Sequence, residues 1–303
     1  MPGLRRTVLV GAVAVALGAC TAQPDAAPPP TSSTTTAAST GGTPSAERVH
    51  VSLGDSYATG YRPVDEGDAR DGFAYLVAER SGSRLVNVAC SGATSAQMRS
   101  EPGCAPANRG PGAPDPAGRT QLDAAVAELR ANQGRVGLVT VLIGGNDLAP
   151  CARAQDALTC ASQAVEQVRA NLAAVLPVLR EAAGDAPIVG LTYPDVFLGA
   201  WVSSAFPNGR DLARLSVSLF RDFFNAALRA EYEEVGATFV DVTAATGGYG
   251  PLTETTQDPT YGPIPTPVAK VCELTYFCRL ADVHPTPAGH EAIAEAVLAA
   301  TGG

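Results

Sequence analysis

Basic side chains are scarce in this sequence, and their scarcity excludes one class of partner at the outset. The 303 residues carry 21 lysines and arginines against 30 aspartates and glutamates, so the formal net charge is −9. No basic stripe is present that could neutralise a phosphate backbone. We therefore expect no nucleic acid partner.

Histidine and aromatic residues are few as well. Only His50, His284 and His290 can supply an imidazole base at neutral pH. Aromatic residues make up 6% of the chain and include one tryptophan, so no tract of aromatic platforms for sugar rings is visible. The 46% of hydrophobic residues is nevertheless ample for one domain with a sizeable core.

The apolar run at the N-terminus is too short to cross a membrane as a helix. In "MPGLRRTVLVGAVAVALGAC" two arginines precede that run and small residues lead to Cys20, a pattern typical of an export signal. The ending Leu17 to Cys20 resembles a bacterial lipobox, whose cysteine becomes the lipidated first residue of the mature protein. An ordinary secretory signal that contains a cysteine is the alternative. Lipidation would hold the protein at the membrane, outside the cytoplasm.

Composition divides the chain into three parts. Residues 1–20 form the predicted lipoprotein signal. Residues 21–46 are rich in Pro, Thr and Ser and have almost no large apolar group, so they cannot offset their ordering entropy by burial. We predict a disordered tether there. Residues 47–303 remain for a single folded domain.

The cysteines indicate an oxidising compartment. Setting Cys20 aside leaves six of the seven, at short local spacings, and an even number in an exported protein implies disulfides. Nearest-neighbour pairing predicts Cys90–Cys104, Cys151–Cys160 and Cys272–Cys278, although six cysteines allow fifteen connectivities. We expect no metal, because no close cysteine pair lies near a pair of histidines.

Runs rich in Val, Ile and Leu alternate with helical periodicities along the whole folded part. Segments such as "RVHVSL", "VGLVTVLIGG" and "PIVGLTYP" are apolar on both faces, and each is followed by a helical segment. This alternation predicts an α/β fold whose parallel sheet is covered on both faces. Functional sites in such sheets gather at the carboxyl ends of the strands.

Three motifs stand at predicted strand ends. In "HVSLGDSYATG" Gly54 permits a tight turn that would present Ser56, although Asp55 or Ser56 as a plain helix cap is the alternative. In "NVACSGATS" Gly92 can bring its backbone N–H close to a ligand, or it is a simple turn glycine. In "LIGGNDL" the side-chain amide of Asn146 is a neutral donor suited to an oxyanion, or it caps a turn.

The fourth motif supplies the candidate base. His284 in "LADVHPTPAGH" lies in a proline-rich loop just before the last predicted helix, where it could reach back over the sheet. His50 lies within a strand and His290 within that last helix, so we interpret them as a strand-face residue and a surface or packing residue.

Together these four motifs resemble the blocks of the GDSL esterases and lipases, also called SGNH hydrolases. The Ser, Gly, Asn and His of that family are matched in order across essentially the whole folded domain. The resemblance implies a three-layer α/β/α, flavodoxin-like fold with a mostly parallel central sheet. It also implies that Ser56 is the nucleophile, that His284 is the base, and that Ser56 N–H, Gly92 N–H and Asn146 form the oxyanion hole. Three local disulfides resemble the actinobacterial extracellular branch.

One position departs from the family pattern. The aspartate of the last block usually stands three residues before the histidine, where this chain has Ala281, and the carboxylate is instead Asp282. Asp282 is the candidate third member of the triad, because a carboxylate stabilises a developing imidazolium better than a neutral carbonyl. A backbone carbonyl near Ala281 is the alternative, as in family members with a Ser-His dyad.

The predicted activity is hydrolysis of carboxylic esters, lipids included, by an exported monomer that needs no cofactor. A carbohydrate O-deacetylase of the same fold and a non-catalytic binding lipoprotein are the alternatives. An apolar lip for the acyl chain is predicted in "YPDVFLGAWVSSAF", at Phe197, Leu198, Trp201 and Phe206, unless these residues cover the core. The long proline-rich stretch 249–278 could form the other wall of the cleft.

Overall fold

A five-stranded parallel sheet forms the centre of the protein. The computed structural model describes residues 47–68 and 70–302, and the signal, Cys20 and tether predicted in residues 1–46 lie outside them. The strand order is β2-β1-β3-β4-β5, and every neighbouring pair is parallel. The strands are β1 (Arg48–Gly54), β2 (Ser83–Asn87), β3 (Val136–Leu142), β4 (Ile188–Leu191) and β5 (Thr238–Val240). This is the flavodoxin-like order, and it confirms the predicted α/β fold.

Helices surround the sheet. They are α1 (Ser56–Thr59), α2 (Phe73–Arg80), α3 (Ser95–Ser100), α4 (Gln121–Ala131), α5 (Gly145–Leu148), α6 (Ala157–Ala183), α7 (Gly209–Ser218), α8 (Asn225–Glu234), α9 (Val242–Ala245), α10 (Thr266–Leu274), α11 (Phe277–Leu280) and α12 (Pro287–Thr301). Helix α6 packs against α4 and α8, while α2 packs against α12. Successive residues of β1 are buried whichever way they point, as expected for a sheet covered on both faces.

Two segments differ from the sequence-based expectation. The helical periodicity of residues 212–236 predicts a single helix, whereas the structure has α7 and α8 joined by a π-helical segment, Leu219–Phe224. The proline-rich stretch that we expected to be a long loop contains an antiparallel hairpin, β6 (Thr255–Asp258) with β7 (Gly262–Pro265), which leads into α10. In both places tertiary packing and turn residues override the local pattern.

The structure contains the three disulfides that nearest-neighbour pairing predicted, Cys90–Cys104, Cys151–Cys160 and Cys272–Cys278. Disulfides of this kind form in oxidising compartments and indicate an extracellular protein. Each lies on a segment that carries or adjoins one of the sequence motifs. Among the helices of the described residues, none combines the length and the apolar character needed to cross a membrane.

Candidate active site

Ser56 stands on a tight turn between β1 and α1, at the carboxyl end of β1. The turn requires a glycine at position 54, because its φ is +146° and a Cβ there would lie 2.2 Å from the carbonyl oxygen of Leu142. The buried side chain of Gln121 fixes this glycine by accepting from its N–H at 3.1 Å and donating to its carbonyl at 3.0 Å. Asp55 caps α1 by accepting from the N–H of Tyr57, so the capping residue and the largely buried Ser56 share one turn.

The loop before α12 brings His284 to this serine. The His284 Nε2 atom lies 2.8 Å from Ser56 Oγ, across 228 positions of sequence. Its Nδ1 atom lies 2.8 Å from Asp282 Oδ1, which also accepts from the backbone N–H of His284 at 2.9 Å. A serine, an imidazole and a carboxylate in this order form a chain along which the serine proton can be taken up by the imidazole.

Several contacts hold the His284 loop against the sheet. The hydroxyl of Tyr57 donates to the carbonyl of Val283, and the N–H of Tyr276 donates to the carbonyl of His284 at 3.0 Å. The ring of Tyr61 meets the imidazole edge to face, with centroids 4.6 Å apart. Tyr57 is adjacent to Ser56 in sequence, so the turn that carries Ser56 also helps to fix the position of the imidazole.

Two backbone donors near the serine are free. Within residues 47–68 and 70–302, neither the N–H of Ser56 nor that of Gly92 donates to another residue. Gly92 is exposed, has φ +84°, and belongs to a turn that Thr59 ties to α1 through a 2.8 Å contact between its hydroxyl and that of Ser91. The positive φ explains the glycine, whereas a Cβ at this position would meet nothing within 4 Å.

Asn146 is the third donor, on the turn after β3. Its Nδ2 atom donates to the carbonyl of Ala93 at 3.0 Å and lies 3.4 Å from Asp55 Oδ2. The second contact is long, so one N–H of the amide is left weakly engaged beside the serine. The neighbouring Asp147 accepts from the N–H and hydroxyl of Ser95 at 2.9 and 2.6 Å, which ties the Asn146 turn to α3 and the Gly92 segment.

The sequence analysis missed a buried pair below these donors. Burial raises the pKa of Asp55 to about 7, while a 2.6 Å hydrogen bond from the hydroxyl of Tyr193 opposes that rise. The same hydroxyl accepts from the N–H of Gly145 at 2.9 Å, so Tyr193 bridges the turns of Ser56 and Asn146. Tyr193 follows β4 closely, and the rule that sites gather at strand ends was the signal that could have found it.

The other two histidines lie away from this centre. His50 is fully buried on β1 with Nε2 2.9 Å from the hydroxyl of Thr140, and His290 is fully buried on α12 with Nδ1 accepting from Phe73 N–H at 3.3 Å. Burial lowers the pKa of each to about 3. His50 is the strand residue that we predicted, and His290 packs in the interior. No cluster of three metal-ligating side chains occurs among the residues the structure describes.

An apolar cavity of about 170 Å³ opens beside Ser56 and His284. Of the four residues predicted to form an apolar lip, Phe197 lines it. Leu198 is instead fully buried in a separate core cluster, Trp201 lies under Arg210 and Arg214, and Phe206 stacks on Phe277. The 3-10 turn Val196–Trp201 sends these side chains in different directions, which the sequence pattern does not reveal.

The remaining walls of the cavity come from unexpected segments. Leu148 and Ala149 follow the Asn146 turn, Phe220 and Phe224 lie on the π-helical segment, and Val283 precedes His284. Among the described residues that line the cavity, none belongs to the stretch 249–278. The expectation that this stretch forms the second wall is wrong, because it folds into the hairpin and α10 elsewhere on the surface.

Comparison with known proteins places this geometry in context. The model of the GDSL-like Lipase/Acylhydrolase family matches residues 52–292. Lipase 2 of Streptomyces coelicolor is 26% identical over 291 residues, covering 82% of this chain and 84% of that protein. An extracellular lipase from Streptomyces rimosus has a TM-score of 0.53 at 21% identity, over 84% of this chain and 99% of its own. A phospholipase A1 from Streptomyces albidoflavus has a TM-score of 0.54 at 19% identity, over 84% and 100%. The two structures share the fold.

Proposed function

Because the chain belongs to the GDSL-like lipase/acylhydrolase family, it is an ester hydrolase, and we propose that it cleaves carboxylic esters through an acyl-enzyme on Ser56. The observation that carries this proposal is the 2.8 Å contact between Ser56 Oγ and His284 Nε2 at the mouth of an apolar cavity. The relative named Lipase 2 supports an acyl group of apolar character.

In the first half-reaction His284 Nε2 takes the proton of Ser56 Oγ as this oxygen bonds to the ester carbonyl carbon. Asp282 accepts a hydrogen bond from the Nδ1–H of the imidazole, fixes its tautomer and stabilises the imidazolium. The imidazolium then donates its proton to the leaving alcohol oxygen, and the bond between carbon and that oxygen breaks. An acyl group remains on Ser56.

The second half-reaction repeats these steps with water. His284 takes a proton from a water molecule, whose oxygen bonds to the acyl carbon. The imidazolium then returns the proton to Ser56 Oγ as the bond between the acyl carbon and Oγ breaks, and the free acid leaves. In both halves the N–H groups of Ser56 and Gly92 and the amide of Asn146 hold the negative oxygen, and losing one such donor typically costs about 100-fold to 1,000-fold in kcat.

The test compares labelling and turnover in the full-length chain. A fluorescent fluorophosphonate and nitrophenyl hexanoate are applied to wild type, Ser56→Ala, Asn146→Ala and Ser52→Ala. We expect Ser56→Ala to abolish labelling and lower kcat by about 10⁵-fold or more, and Asn146→Ala to lower kcat by about 100-fold to 1,000-fold.

Ser52→Ala is the matched control. Ser52 is a fully buried serine of β1, four residues before Ser56, and its hydroxyl has no partner in the described part of the chain. Its loss should leave turnover unchanged. Equal labelling of wild type and Ser56→Ala would contradict the role of Ser56, and full turnover in Asn146→Ala would contradict the role of Asn146.

For the N-terminal part we propose a signal in residues 1–20, a lipid on Cys20 and a tether over 21–46, so that the monomeric domain of 47–303 acts at the outer face of a membrane. The lipobox-like sequence before Cys20 supports this arrangement. A clickable fatty acid fed to expressing cells should label wild type and not Cys20→Ser. Equal labelling of the two, or none, would favour an ordinary secretory signal.

A further inference from the structure

The cavity beside Ser56 is apolar apart from its mouth. Asp55, Ser56, Asn146 and His284 supply the polar atoms at one end, and the remaining lining is aliphatic or aromatic. An ester whose carbonyl carbon sits at Ser56 Oγ, with its oxygen toward Asn146, therefore meets an apolar space on the acyl side. Polar acyl groups would lose their hydration there without gaining partners.

Three rings dominate this space, and we name them the aromatic wall: Phe197, Phe220 and Phe224. The ring of Phe220 lies 6.3 Å from that of Phe197 and 5.9 Å from that of Phe224, both edge to face. The ring of Phe224 also stacks on that of Tyr193, with centroids 6.4 Å apart. The aromatic wall thus packs against Tyr193, which bridges the turns of Ser56 and Asn146. Contacts among the three rings hold them in place.

The π-helical segment explains how two of these rings face the cavity. A buried or half-buried residue recurs at intervals of four along this part of the chain: Ser216, Phe220, Phe224, Leu228 and Tyr232. In a regular α-helix each step of four overshoots a turn by about 40°, so such a stripe would wind around the helix. A π turn holds more residues and corrects this drift, and such turns are frequent at functional sites.

Resting on the proposed function, we propose that the aromatic wall selects linear acyl chains of about six carbons, and that Phe220 limits their length. A dry cavity of about 150 Å³ accommodates a benzene molecule, which has six carbons. The cavity here is of nearly the same size, about 170 Å³. An acetyl group would leave most of it unfilled.

The expected effect follows from the burial of methylene groups. Each methylene added within the cavity should raise kcat/KM about fourfold. From acetyl to hexanoyl the gain is roughly 200-fold to 300-fold. Beyond about six carbons the chain meets the aromatic wall, and kcat/KM should level off or fall.

The experiment measures kcat/KM for nitrophenyl esters from acetyl to decanoyl with the full-length chain. Active sites are counted by titration with a fluorophosphonate, so that only folded, reactive molecules enter each value. Phe220→Ala should move the best chain length up by about two to four carbons, because the emptied space collapses only in part. Leu148→Phe, which fills the cavity from the opposite turn, should move it down.

Phe206→Ala is the matched control. Phe206 is also a half-buried phenylalanine, but it stacks on Phe277 and lines a different surface cleft. Its removal should leave the chain-length profile unchanged.

The outcomes separate this proposal from the one on which it rests. A wild-type optimum near six carbons that shifts in Phe220→Ala but not in Phe206→Ala supports the aromatic wall. Normal titration with a flat profile, an acetyl optimum, or a Phe220→Ala profile identical to wild type overturns it. Absence of both titration and turnover on every ester overturns the acyl-enzyme proposal itself.

Discussion

Two carboxylates flank the Ser56–His284 pair, and their surroundings are opposite. Asp55 is 2% exposed and receives hydrogen bonds from the hydroxyl of Tyr193 and the N–H of Tyr57. Asp282 lies on a loop, its side chain is 28% exposed, and its partners are the imidazole and backbone of His284.

The contrast indicates that the two carboxylates have different roles. A carboxylate that stabilises a transient imidazolium must contact the imidazole, as Asp282 does at 2.8 Å. A carboxylate beside the donors of an oxyanion would oppose the negative charge that develops there, and burial with a pKa of about 7 weakens this opposition. We infer from this comparison that Asp282 acts through its charge and Asp55 through its hydrogen bonds.

The largest effect should come from removing the charge of Asp282. Asp282→Asn should lower kcat by about 1,000-fold to 10,000-fold with little change in KM, because the imidazolium loses its counter-charge and its tautomer is no longer fixed. Steady-state kinetics on nitrophenyl hexanoate measure this. Asp211→Asn, at an exposed ion pair with Arg214, is the control and should behave as wild type. A loss below about tenfold would favour the backbone carbonyl of a Ser-His dyad.

A smaller effect should follow from loosening Asp55. Tyr193→Phe keeps the ring and deletes the hydroxyl that joins Asp55 to Gly145, so the Asn146 turn loses a fixed point. We expect kcat to fall roughly tenfold to 100-fold with KM nearly unchanged, less than the loss of a whole oxyanion donor. Tyr249→Phe is the matched control, because the Tyr249 hydroxyl also bonds a carboxylate, Asp241, away from the cavity. Equal losses in both variants would contradict a positioning role for Tyr193.

A separate prediction concerns the dependence of folding stability on pH. The raised pKa of Asp55 means that the folded state holds its proton more tightly than the unfolded state, so this carboxyl favours folding at low pH and loses that contribution as pH rises through about 7. Asp195, with a pKa raised by burial to about 7, behaves alike. Relative to wild type, Asp55→Asn should therefore lose free energy of unfolding by about 1.4 kcal/mol per pH unit from pH 7 down to 4.

Two buried histidines act with the opposite sign. The lowered pKa values of His50 and His290 stabilise the folded state above about pH 6.5, and this contribution is lost as pH falls toward 3. Nearby Arg62 and His284 lower the pKa of His290 further. Between pH 6.5 and 4 these two histidines therefore oppose the two buried carboxyls in their effect on stability. Urea unfolding at four pH values checks this, and parallel curves for wild type, Asp55→Asn and Asp195→Asn would contradict the raised pKa values.

The polar residues of the site could be predicted from the sequence, because the carboxyl ends of parallel strands meet at one edge of the sheet. Ser56, Gly92 and Asn146 each stand within five residues of a strand's end, and glycines mark the turns. The role of Asp282 stayed open, since its offset from His284 differs from the family pattern and only three-dimensional structure brings their atoms to 2.8 Å.

The apolar cavity of the site could not be predicted from the sequence. The 3.6-residue period indicated a helix over residues 212–236 but not the π segment, which a stripe at intervals of four would have suggested. Gln121 contacts the Ser56 turn from a distant part of the chain, and no local pattern of the sequence predicts that contact. The cavity therefore depends on register and long-range packing, whereas the polar edge depends on topology.

The three disulfides also have a consequence for how the chain matures. Each joins a cysteine of the folded domain to the next one along the chain, at separations of 14, 9 and 6 residues. If the chain were oxidised as it emerged N-terminus first, each cysteine would meet its correct partner before any later thiol could compete. The native one of the fifteen pairings would then form in order of synthesis, without reshuffling by an isomerase.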